Sequence, residues 1–164
     1  MIQIKNAAEL QKMRKACAIS AAALKAGGEA IEPGITTAEI DKIIYDFIVR
    51  HGARPNFLHL YGFPATACIS VNDTVIHGIP NKQQQIRPGD IVSIDTGCKI
   101  DGFNGDNACT YACGKIDLEA QRLLDVTKES LHRGIEMACG GNRVGDIGHA
   151  VQSYVEENGF SVVR

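Results

Sequence analysis

Asp95 and Asp106 stand on either side of Asp101-Gly102 within the run IVSIDTGCKIDGFNGDNACTYA, residues 91–112. The flanking segments are apolar and β-rich. Asp-Gly suits a two-residue hairpin turn, because both central positions of a type I′ turn need positive φ. In that register Ile100 pairs with Phe103, Gly97 lies opposite Asp106, and Asp95 opposite Ala108. Opposed residues share a face and side chains alternate with period two. The two aspartates then become diagonal neighbours on one face, with Cα atoms about 7–8 Å apart. Carboxylates so placed can hold a pair of metal ions roughly 3.5–4 Å apart. A three-residue loop would send them to opposite faces instead, and aspartates beside glycine can also simply bond turn amides. Residues 91–94, Ile-Val-Ser-Ile, read as a strand buried on both faces. A carboxylate following directly at Asp95 needs a cation, a metal or full hydrogen bonding.

Helices and strands must present this pair. Asn6 and Glu9 form a capping box for a first helix, whose apolar face is expected at Leu10, Met13, Cys17 and Leu24 and whose end is expected at Gly27-Gly28. Thr36 and Glu39 cap a second helix with a stripe of Ile40, Ile43, Ile44, Phe47 and Ile48, stopping at His51-Gly52. Short β-like runs follow: residues 67–71 as a strand, Asn72-Asp73 as a turn, and residues 74–77 as a second strand. His77 would then sit where a strand leaves the sheet, a place where structural hydrogen bonding is the commoner role for a lone histidine. Residues 81–88 read as an exposed loop. A third helix begins at Asp117 with Leu118, Leu123, Leu124, Leu131 and Ile135 apolar, ending at Gly140-Gly141. A fourth runs from about 146 to 158 with Ile147, Val151, Tyr154 and Val155 on one side, and residues 160–163 look like the start of a strand.

The 164 residues suit one domain, 1–164, with a real core. A hydrophobic content of 45%, a charged content of 22% and a net charge of −2 give no basic block for nucleic acid or an anionic membrane. No targeting segment or span is visible, and the chain reads as cytoplasmic. Cysteines 17, 68, 98, 109, 113 and 139 lack metal-finger spacing and read as buried, reduced thiols.

A repeat at an offset of 107 residues matches Gly27 with Gly134, Gly34 with Gly141 and Glu39 with Asp146. It also matches Leu24 with Leu131, Ile40 with Ile147, Ile44 with Val151, Phe47 with Tyr154, Ile48 with Val155 and Gly52 with Gly159. The first copy, about residues 6–115, is two helices and a β layer; the second has its helices and stops as its β layer begins.

The set VNDTVIHGIP, GDIVSIDTG and DGFNGDNACTY, in this order, resembles a type I methionine aminopeptidase over essentially the whole chain, matching that family's N-terminal portion. The resemblance implies an α/β (α+β) pita-bread fold, an antiparallel sheet covered by helices, with two pseudo-symmetric halves, the second incomplete here. It implies removal of the N-terminal methionine from nascent polypeptides by a water activated by two divalent metal ions (Co, Mn, Fe or Zn). By motif position Asp95 and Asp106 correspond to the first two metal ligands, and His77 to the histidine beside the scissile bond. Phe63 and Cys68 fall where the methionine pocket is lined. Asn104 replaces the family's usual histidine, outside the ligand set. The remaining ligands, one histidine and two glutamates, would lie beyond Arg164. The chain alone is therefore expected to be inactive and, with Val92, Ile94 and the strand starting at Phe160 left uncovered, to self-associate, whereas the intact enzyme would be a monomer. Its partners would be nascent chains at the ribosome, with no direct nucleic-acid contact.

Two other readings share parts of this pattern. Prolidases and aminopeptidases P have the same halves but carry a large extra N-terminal domain, whereas Met1 here leads straight into the first helix. A non-enzymatic pita-bread module that binds peptides or proteins would have no need of both Asp95 and Asp106.

Overall fold

The computed structural model describes residues 3–163. Its elements are α1 (Ala7–Glu29), α2 (Thr37–Arg50), β1 (Arg54–Pro55), β2 (Ala67–Val71), β3 (Ile91–Ile100), β4 (Phe103–Ala112), α3 (Leu118–Glu136) and α4 (Val144–Glu157). They form two compact units, Met1–Ile116 and Asp117–Arg164. The division falls where the first copy of the repeat ends. No helix among the described residues is long and apolar enough to cross a membrane.

In the first unit β3 is the centre of an antiparallel sheet, flanked by β4 on one side and by β1 and β2 on the other. Val92, Ile94, Thr96 and Cys98 share a face with Ala67, Ile69 and Val71, and that face is the core, packed against Ala23 and Leu24 of α1 and Ile40, Ile44 and Ile48 of α2. Each fully buried isoleucine there contributes about 1.5–3 kcal/mol. Ser93 and Asp95, on the other face, are only half-buried. β3 is thus buried on one face, not two, and Asp95 belongs to the wetter one. Val92 and Ile94, expected to be left uncovered, are fully buried because α1 and α2 cover their face.

Both capping boxes form. Glu9 N donates to Asn6 Oδ1 at 3.0 Å and Asn6 N to Glu9 Oε2 at 2.8 Å; Thr36 and Glu39 repeat the exchange. The buried stripe of α1, however, is Ala16, Ser20, Ala23, Leu24 and Gly27, while Leu10 and Cys17 are exposed. Small residues win because α1 lies almost on the backbone of β4. A Cβ on Gly105 would stand 2.3 Å from the Ala16 carbonyl oxygen, and the Tyr111 ring fills the place of a Gly28 side chain. Gly27 and Gly28 consequently lie inside α1, which continues to Glu29.

Three further expectations change. Residues 74–77 form no strand: Thr74 N closes the turn on Val71 O at 3.1 Å, and the chain next bonds β2 at Gly78, with Ile69 N donating to Gly78 O at 2.9 Å. The 81–88 segment is not simply exposed. Ile86 is fully buried and bonds Ile35 and Gly34, and Gln85 bridges Thr36. Residues 160–163 take no strand pairing; Arg122 stacks on the Phe160 ring instead.

In the second unit the buried face of α3 is Val126, Ser130 and Gly134, and Leu118, Leu131 and Ile135 are exposed. The helix ends at Glu136, before Gly140. The repeat is geometrical as well as textual. A Cβ on Gly27 would meet Ile44 Cδ1 at 2.7 Å and Ile40 Cγ2 at 3.5 Å; one on Gly134 would meet Val151 Cγ2 at 2.8 Å and Ile147 Cγ2 at 3.5 Å. Gly34 and Gly141 share φ values of 97° and 100°, and Gly52 and Gly159 of 73° and 78°.

The close approach of α1 to β4 predicts opposite effects for two alanines. Gly105→Ala lowers unfolding free energy by about 1–3 kcal/mol, because backbone must shift. Gly148→Ala, on α4 with nothing within 4 Å of the new Cβ, is neutral or raises it by up to about 1 kcal/mol. Urea midpoints of both variants check this; an unchanged Gly105→Ala midpoint would contradict the packing argument.

Candidate metal centre

The hairpin turn is two residues long, with φ of 52° at Asp101 and 86° at Gly102. The register follows: Ile100 faces Phe103, Gly97 faces Asp106, and Asp95 faces Ala108. Lys15 Nζ reaches Asp101 Oδ2 at 2.7 Å and ties the turn to α1. Asp95 and Asp106 share the face away from α1 and α2 and stand close enough to hydrogen-bond each other. Burial raises the Asp95 carboxyl above the usual range, and the Asp106 charge and shared hydrogen bond raise it further; His77 pulls the other way.

Cys68 is the cross-strand partner of Asp95 on β2, so thiol and carboxylate occupy one row of the sheet. Its thiol is pushed up to about 11, first by burial and then by the negative fields of Asp95, Asp106 and Asp41. It stays protonated near neutral pH. Cys98 and Cys113 are also buried, whereas Cys17, Cys109 and Cys139 are exposed, against the expectation of uniformly buried thiols. His77 lies in the loop after β2, near enough to act electrostatically on Asp95, with an unusual φ of 57°. A left-handed non-glycine residue costs about 1–2 kcal/mol, and the contacts of Gly78 hold it there. Phe63 stands half-buried in the approach to β2, closing a turn in which His59 and Tyr61 are also left-handed. Asn104 is on the aspartate face, exposed and opposite Lys99.

Several supporting residues escaped sequence reasoning. Asp41 accepts from Thr66 N at 2.9 Å and Ala67 N at 2.8 Å, capping the start of β2. The only signal was a carboxylate directly after the buried Ile40. Asn72 and Asp90 clamp the turn after β2: Ile91 N donates to Asn72 Oδ1 at 3.0 Å, and Asn72 Nδ2 to Asp90 Oδ1 at 2.9 Å.

The pair Asp95 and Asp106 fits part of a divalent-ion site. Carboxylate oxygens suit hard and borderline ions, and a cation relieves the repulsion that helps raise the Asp95 carboxyl. Among the described residues no group of three or more His, Cys, Asp or Glu side chains converges. The pair is two ligands, not a complete shell.

The raised Asp95 carboxyl has a consequence for the metal-free chain. A folded-state pKa above the unfolded one contributes stability present below the unfolded value and lost as pH rises through the folded value. Asp95→Asn therefore raises the urea midpoint at pH 7, and its advantage shrinks as pH falls toward the ordinary aspartate value of 3.8. A gain independent of pH would show that the carboxylate charge is not the cause.

Comparison with known proteins assigns the chain to a family. The profile of metallopeptidase family M24 matches residues 11–164. The methionine aminopeptidase of Clostridium perfringens is 51% identical over all 164 residues, which span 66% of its length. The crystal structure of methionine aminopeptidase from Rickettsia prowazekii superposes with a TM-score of 0.97 at 38% identity, covering the whole of this chain and 66% of that one. Escherichia coli aminopeptidase P, at 23% identity and a TM-score of 0.82 over 94% of this chain and 34% of its own, shares the fold alone. The chain thus spans about two thirds of the length of these methionine aminopeptidases, with their pita-bread architecture, and it belongs to metallopeptidase family M24.

Proposed function

We propose that this chain carries the first part of a methionine aminopeptidase site, in which Asp95 and Asp106 hold two divalent ions and His77 attends the scissile peptide. The observation that carries the reading is the placement of the two carboxylates on one face beside His77. The 51% identity to a methionine aminopeptidase, against 23% to an aminopeptidase P, favours this over the Xaa-Pro reading.

Bound divalent ions would supply Lewis-acid polarisation of the scissile carbonyl and a lowered pKa for the attacking water. The chain's own residues do the rest. Asp95 and Asp106 anchor the charge from a rigid hairpin, so their spacing does not relax when a substrate binds. His77 donates a hydrogen bond to the peptide group and stabilises the charge developing on it. Phe63 and the neutral Cys68 thiol line the pocket for the methionine side chain; a protonated sulfur offers a soft wall to a thioether without competing for metal. The substrates are N-termini of nascent polypeptides in the cytoplasm, met as they leave the ribosome.

Two carboxylates are too few for a divalent pair. The 164 residues alone, with Co²⁺ or Mn²⁺ added, release no methionine from a Met-Ala-Ser peptide and tend to self-associate through exposed Leu118, Leu131 and Ile135. Adding in trans the part of a relative beyond the matched region restores release. In that mixture Asp95→Asn and Asp106→Asn abolish it, and His77→Ala lowers it about 10²–10³-fold. Release by the unmixed chain as a monomer would overturn this placement of the site.

A further inference from the structure

We propose that Ser70 is the positioning residue for His77, acting through the backbone amide of Gly78. Ser70 lies in β2 with only 4% exposure, and its Oγ accepts from Gly78 N at 3.0 Å. In the same cross-strand row Ser93 Oγ and Thr110 Oγ1 satisfy each other at 2.8 Å. The Ser70 hydroxyl alone of the three turns out of the row, to the loop.

The geometry gives that bond a particular effect. Gly78 N–H and the His77 carbonyl belong to one planar peptide unit, so a partner for the amide fixes the two torsions that flank that unit, ψ of His77 and φ of Gly78. The Gly78 carbonyl is held separately by Ile69 N at 2.9 Å, and a Cβ on Gly78 would stand 2.2 Å from Ile69 O. Gly78 is pressed flat on β2 and gripped from both sides. His77, directly before it, is held at φ 57° while its neighbours Val75 and Ile76 stand exposed. At the far end of the loop Asn72 is fastened to Ile91 and Asp90. The loop is pinned at both ends, and Ser70 supplies the one side-chain bond at the histidine end.

Removing the hydroxyl leaves the Gly78 amide without its acceptor and frees the His77 peptide to rotate, without touching the aspartates. The catalytic consequence rests on the reading of His77 given above, so the test has two arms. In the first, NMR of the chain itself follows Gly78 amide exchange and the three-bond coupling between His77 Hα and Gly78 N, which reports ψ of His77. They are expected to show a protected amide and a single fixed ψ. Ser70→Ala removes the protection and shifts the coupling, leaving the Val92 and Ile94 amides protected; Ser70→Thr, which keeps the oxygen, restores both. An unprotected Gly78 amide in the parent chain, or no change in Ser70→Ala, overturns the clamp. In the second arm the complemented enzyme is assayed for methionine release. Ser70→Ala is expected to lower kcat about 10–100-fold with little change in KM, and to have no further effect in a His77→Ala background. Equal losses in both backgrounds would make Ser70 merely structural and overturn the proposal. A clamp intact by NMR with His77→Ala fully active would instead mean that His77 is not used, and the error would lie in the functional reading.

Discussion

Two consecutive left-handed residues, Asp101 and Gly102, determine what the remainder of this sheet can do. A two-residue loop of that conformation matches the right-handed twist of the strands it joins and admits one register. One residue more or fewer would invert every side chain of β4 relative to β3. Asp106 would then point into the helices and the Tyr111 ring into solvent. The aspartate pair is thus a property of the turn as much as of the aspartates, and the Lys15–Asp101 contact holds that turn against α1.

The two faces of β3 divide the labour. One is anchored by isoleucines from α2 and by a close-packed stripe of small residues from α1, which makes it rigid. The other carries Cys68, Ser70, Ser93, Asp95, Asp106 and Thr110, polar groups that the core could not tolerate. Charges on that face cost stability in the metal-free chain because half-burial and mutual repulsion raise the Asp95 carboxyl. Sites that bind cations commonly accept such a cost, and here a rigid backbone keeps the carboxylates from escaping it by moving apart.

The hairpin was legible from sequence because Asp-Gly favours a tight turn between two β-like runs; which of the two loop lengths holds, and so whether Asp95 and Asp106 share a face, is settled by the φ values of Asp101 and Gly102. The capping boxes at Asn6 and Thr36 were legible for the same local reason. The packing face of α1 was not. An apolar period picks out Leu10 and Cys17, whereas close approach of a helix to a strand rewards Ala16, Ser20 and Gly27, which carry little hydrophobic signal. The segment 74–77 has strand-like composition, yet Gly78 bonds β2 in place of a ladder, and nothing in Thr-Val-Ile-His reveals that. On α3 the leucines suggested the buried face, but Val126, Ser130 and Gly134 form it, as Gly27 does in the first copy. Long-range supports such as Asp41 and Asp90 were invisible because their partners lie on other elements.

If the Asp101-Gly102 register builds a cation site from Asp95 and Asp106, as proposed, the chain itself binds divalent ions. Titration of the chain with Mn²⁺, followed by loss of the free-ion electron paramagnetic resonance signal, should show weak binding above background. Asp95→Asn and Asp106→Asn should each reduce it to background, as should one glycine inserted between Asp101 and Gly102. Equal Mn²⁺ binding by the parent chain and all three variants would contradict the account.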